Sequence, residues 1–215
     1  MSFVESFRSG FPGYLRSTAI LYLVVLILLV LGLAIGALTV NVLDQSERLE
    51  LAGYLEVFLR GLVDGQLRTD PPLALRAACL QNLKTVGSLW ILGLTVIGVP
   101  AIAAVVFLRG LVVGFTVGFL VKEMGAAGFF LAALAVLPQN LLALPALVIT
   151  AVSALSFSLL LLRRRWDRSC RPLAEEFMGY SFLVLLMGGL MVGAGFLEAY
   201  ISPVFMRLIA GFAVR

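Results

Sequence analysis

Residues 18–38 read TAILYLVVLILLVLGLAIGAL, from Thr18 to Leu38 without a single charge. At about 1.5 Å per residue, a helix of this length crosses roughly 30 Å of hydrocarbon and satisfies its own backbone while doing so. The run exceeds the roughly 7–15 apolar residues of a secretory signal, so it reads as a retained signal anchor. Arg8 and Arg16 precede it. The positive-inside bias therefore puts residues 1–17 in the cytoplasm and carries the run outward.

The remainder of the chain has the same character. Of its 215 residues 61% are hydrophobic and only 13% charged, and the mean hydropathy is +1.08. A soluble domain carries roughly 25% charged residues because its surface faces water. The net charge of +4 does not indicate nucleic acid, because the cations punctuate apolar runs and form no folded basic face. Their densest group, Arg163, Arg164, Arg165, Arg168 and Arg171, marks a cytoplasmic loop.

The expected fold is all-α: a polytopic transmembrane helical bundle of about five spans, forming a single integral membrane domain over residues 1–215. The spans fall at about 18–38, 86–107, 111–137, 141–162 and 177–197. Between the first two lies an extracytoplasmic or interfacial segment, 41–85. Its Asp44-Gln-Ser-Glu47 is a capping box. Beyond it, Leu51, Leu55, Phe58, Leu59 and Leu62 share one helical face, with Glu50, Glu56, Arg60 and Asp64 opposite. That pattern predicts an amphipathic helix on the outer membrane surface or against the spans. Asp70-Pro71 opens a further helix, which runs unbroken to Val99 and is kinked at Pro100.

Lys122-Glu123-Met124-Gly125 interrupts the third span, which is either one broken span or a re-entrant pair. The arginine cluster requires the fourth span to end in the cytoplasm, so a net crossing is needed here, which favours the broken span. The apolar tail after Pro203 then lies at the outer interface, and the C-terminus is extracytoplasmic.

Several motifs admit two readings. Gly110, Gly114 and Gly118 form a GxxxGxxxG face, and Gly32/Gly36 and Gly189/Gly193 repeat the spacing. Such faces let backbones approach closely, either within the chain or against a partner, a second copy included. Arg109 is a snorkelling anchor at the inner face or a buried cation with a functional partner. Pro138-Gln139-Asn140 is a turn with Asn140 capping the fourth span, or a polar contact site at the outer end of the bundle. Asn82, ahead of the second span, invites the same two readings. Lys122-Glu123 is a mid-membrane ion pair or a polar loop.

The sequence points away from an enzyme. It has no histidine, which removes zinc-protease motifs and His-based catalytic dyads. No aspartate falls within an expected span, and no phosphate-binding loop is present. Cys79 and Cys170 have no metal-binding or disulfide spacing. No metal or other cofactor is expected.

Phe107-Leu-Arg-Gly110 through Gly118-Phe-Leu120, Leu137-Pro-Gln-Asn-Leu-Leu142, Pro145-Ala146, the Asn82 approach and Phe157-Ser-Leu159 together resemble the stage II sporulation protein M family. The resemblance is densest from about residue 75 to 162. It implies a place in the engulfment machine of endospore-forming bacteria, in the septal and engulfing membrane of the mother cell. There, stage II sporulation proteins D and P remodel peptidoglycan as a lytic transglycosylase and an amidase/endopeptidase. The family member is the polytopic component that recruits and localises them. The expected function is thus a membrane scaffold with protein and lipid partners. The alternative is a small-solute or ion transporter built on a discontinuous helix near 122–125.

Overall fold

The computed structural model describes residues 3–63, 71–164 and 173–213, and every element among them is helical. α1 spans Phe3–Thr39, α2 Gln45–Val63, α3 Pro71–Gly93 and α4 Gly98–Leu131. A π segment, Ala132–Val136, leads into α5, Leu137–Arg164. α6, Leu173–Phe196, continues through a second π segment, Leu197–Ile201, into α7, Ser202–Ala213. Asp64, Asp70, Arg165, Arg168, Cys170 and Arg171 lie outside the described residues.

Three helical stretches are long and apolar enough to cross a membrane: Ala19–Thr39, Gly98–Leu162 and Leu173–Leu208. The second supplies two passes, because the chain reverses at Gly125. Its φ of 56° and ψ of −126° interrupt α4, a conformation open to glycine and strained for other residues. Beyond it, Leu120 packs in one cluster with Leu131 and Ala132. α3 is less apolar, since it carries Arg76, Gln81, Asn82 and Lys84, and it packs among the others through Val86 and Leu89.

Contacts set the directions. The positions of Gly110, Gly114 and Gly118 abut Leu29, Leu33 and Ala37 in the same order, so α1 and α4 run parallel. α3 opposes α6, with Trp90 Nε1 donating to Ser181 Oγ (3.2 Å) and Asn82 Nδ2 donating to the Met191 carbonyl (3.1 Å). The bundle therefore alternates: α1 rises, α3 descends, α4 rises, α5 descends and α6 rises. The lower end is closed by the 94–97 turn, where Ser158 Oγ donates to the Thr95 carbonyl at 2.7 Å. Phe157 stacks on Tyr180 close by, with Phe177 tilted against Phe157 and Trp90. At the upper end α2 and α7 form a cap, in which Leu55 and Leu59 meet Leu120, Leu131, Ala132 and Met206.

The helix limits correct two expectations. The stretch 86–107 is not one helix: it is divided by the turn after Gly93, and Pro100 sits in the first turn of α4 rather than at a kink. A proline is tolerated there because its missing N–H has no helical partner to lose. The stretch 111–137 breaks at Gly125, within the expected interruption at 122–125, but the break reverses the chain and joins a rising limb to the start of a descending one instead of completing one crossing. α2 forms where expected and pairs Glu56 with Arg60. Phe58, however, is 42% exposed and leaves the face that Leu55 and Leu59 bury.

Candidate functional site

The glycine motif is occupied within the chain. A Cβ at Gly110, Gly114 or Gly118 would press on the backbone of α1, and one at Gly32 or Gly36 would press on α4. Glycine on both surfaces brings the two backbones together and maximises dispersion contact, the main attraction between helices in lipid. Gly189 and Gly193 have open space at the same test.

Lys122 and Glu123 do not pair with each other at mid-depth. They lie at the upper end: Lys122 Nζ donates to the Val40 carbonyl at 2.9 Å, and Glu123 pairs with Arg48 of α2. The lysine satisfies one of the carbonyls left free where α1 ends. Asn82 is buried within α3, where its bond to Met191 ties α3 to α6.

Pro138, Gln139 and Asn140 form no turn and cap no helix; they continue a helix that passes through the first π segment. The reason is local. Pro138 has no N–H, so the preceding backbone loses a helical bond, and a wide turn absorbs the mismatch. The Leu137 N–H reaches back to the Ala132 carbonyl, a five-residue step. Two side chains attend to carbonyls in the same turn: Ser202 Oγ donates to Ala135 O at 2.7 Å, and Asn140 Nδ2 donates to Val136 O at 2.8 Å. Asn140 is only 7% exposed, so it is not part of an outer rim.

Arg109 is not at the inner face. It lies about 17 Å along α4 from Gly98, near the middle of a helix that can cross roughly 30 Å of hydrocarbon. It continues the stripe of Ile102 and Val106, which packs in one core with Ala143 and Leu147 of α5. One turn above that core come Arg109 on α4 and Gln139 and Asn140 on α5. Arg109 Nε, Gln139 Oε1 and Asn140 Oδ1 are buried and have no hydrogen-bond partner in the protein.

Glu198 completes the group, and sequence reasoning missed it. The Ser202–Ala135 bond fixes the register. α5 descends and α6 rises, so Gln139 and Glu198 each sit one turn below that bond, on neighbouring elements. In the sequence Glu198 stands just past the expected last span, 177–197, and nothing in its neighbourhood ties it to a residue 89 positions earlier. The structure thus brings together Arg109, Gln139 and Asn140 from the expected residues, adds Glu198, and leaves Asn82 and the glycines to helix packing.

No curated protein and no solved structure matched the chain. The model of a family described as stage II sporulation protein M matches residues 25–203, from within α1 to the first turn of α7. With α3 to α6 and the last part of α1 inside that match, the chain belongs to the stage II sporulation protein M family, a family of sporulation-related membrane proteins.

Proposed function

We propose that this protein is a membrane scaffold that recruits and localises stage II sporulation proteins D and P during engulfment. The family match carries the reading. The fold supports it by giving the bundle a built upper cap, which on the positive-inside argument faces the peptidoglycan. Within the cap, a groove of about 350 Å³ is floored by Leu55, Leu59 and Met124 and edged by Glu56, Arg60 and Glu123. On its other face α2 exposes Tyr54 and Val57, 66% and 72% exposed, a second apolar surface of the cap. An apolar anchor from the membrane-proximal part of a hydrolase suits such a floor, with polar contacts at the edge. On this reading the hydrolases supply the chemistry, and the scaffold sits in the mother-cell septal and engulfing membrane.

Transport keeps one supporting observation. The helix break near 122–125 no longer serves it, because that break is at the capped end and its charges are partnered. The unpaired polar atoms around Arg109 do favour it, since intramembrane ionisable groups often mark solute paths. Co-purification of both tagged hydrolases from sporulating cells, with solute uptake measured in liposomes, separates the two readings. The scaffold predicts recovery of the hydrolases, weakened by Tyr54→Ser with Val57→Ser, and no saturable uptake. Saturable uptake without hydrolase recovery refutes it.

A further inference from the structure

The group around Arg109 is unusual for what it leaves undone. A guanidinium near the middle of an apolar helix is costly to bury, and a single buried charge more so than a compensated pair. Glu198 supplies the opposite charge from the joint between α6 and α7, yet no direct ion pair joins the two side chains. Arg109 Nε is an unused donor, while Gln139 Oε1 and Asn140 Oδ1 are unused acceptors. The carboxylate adds further acceptors. Donors and acceptors thus stand at one level on three elements, with no hydrogen bond between them.

We propose that Arg109 and Glu198 form an ion pair joined through ordered water inside the bundle, with the amides of Gln139 and Asn140 completing the water's hydrogen bonds. Water is the occupant this chemistry fits. It both donates and accepts, and a buried water needs two to four polar partners, which these four side chains provide. The charges of Arg109 and Glu198 cancel, so the group has no net charge with which to attract a simple ion.

The pair has a mechanical consequence. Glu198 lies in the π segment from which α7 departs, and α7 packs on α2 in the cap. The Ser202–Ala135 bond and the Arg109–Glu198 pair hold that segment and the start of α7 at adjacent levels, one to the π segment before α5 and one to α4. They therefore fix the angle at which the membrane bundle presents its cap. This inference is independent of whether hydrolases bind there.

A double-mutant cycle in lipid nanodiscs tests the pairing. Arg109→Met and Glu198→Met each strand one charge without its counter-charge, so each lowers the melting temperature. Arg109→Met/Glu198→Met strands none and melts above at least one single variant. A double variant whose loss equals the sum of the two single losses overturns the pair. Should a methionine variant fail to fold, Arg109→Glu with Glu198→Arg replaces it: the swapped double folds if the pair exists and fails with the singles if it does not. An experimental map of the wild type, sharp enough to show ordered water, tests the bridge. Water between Arg109, Glu198 and an amide is the expected result. Direct contact between the two charged groups, or density for a larger solute, overturns it.

Discussion

Replacing Gly114 with alanine perturbs the backbone-to-backbone contact between α1 and α4. The added Cβ would lie 2.7 Å from the carbonyl carbon and 2.8 Å from the Cα of Leu33, with the carbonyl oxygen nearer still. Carbon atoms in contact sit about 3.5 Å apart or more, so α1 and α4 must separate by at least about 0.8 Å, and further to clear the oxygen, or tilt. The obstacle is backbone on both sides, so no side-chain rotation relieves it. Overpacking of this kind destabilises by about 1–3 kcal/mol. For a chain of this size that corresponds to a fall in melting temperature of about 2–12 °C. Gly189→Ala is the matched control: nothing lies within 4 Å of its new methyl, and alanine raises helix propensity by up to about 1 kcal/mol. Its melting temperature should hold or rise. Thermal unfolding in one detergent, followed for both variants and the wild type, makes the comparison. A Gly114→Ala variant as stable as wild type, or a Gly189→Ala variant equally weakened, refutes the packing argument.

Three further predictions concern the ends of the bundle. In a background without the native cysteines, Val42→Cys (81% exposed, upper end) should react with an impermeant maleimide in intact cells, whereas Ile97→Cys (83% exposed, lower turn) should react only after permeabilisation; the opposite pattern inverts the orientation. Lys122→Met removes the donor to Val40 and should lower stability by about 1 kcal/mol, with Lys122→Arg less affected; equal melting of wild type and Lys122→Met contradicts the capping role. Arg48→Met unties α2 from Glu123, so amide exchange over 45–63 should accelerate while that of α5 stays unchanged; unaltered exchange in α2 shows that the ion pair does not hold the helix.

The apolar runs made an all-helical membrane bundle readable from sequence, because hydrocarbon thickness sets a length that composition reveals. The breaks between them were harder. The lower turn is Leu94-Thr95-Val96-Ile97, which contains no charge and no turn residue. Its only cues are the flanking Gly93 and Gly98, the second required because a Cβ there meets the Leu92 carbonyl. Pro138 gave the opposite error: it looks like a terminator, but a π turn and donors from Ser202 and Asn140 let the helix continue. Arg109 was recognisable as important but was misplaced in depth as a result of the unseen turn. Glu198 could be found only through tertiary register, which no local spacing encodes.

The central claim is that this protein places the hydrolases, and their position in the cell tests it most directly. Fluorescent stage II sporulation protein D or P would be imaged in a spore-forming host lacking its own family member, with and without this chain. The account predicts dispersed signal without it and concentration at the septum and engulfing membrane when it is restored. An identical distribution in the two strains, with the chain present in the membrane, would contradict the account.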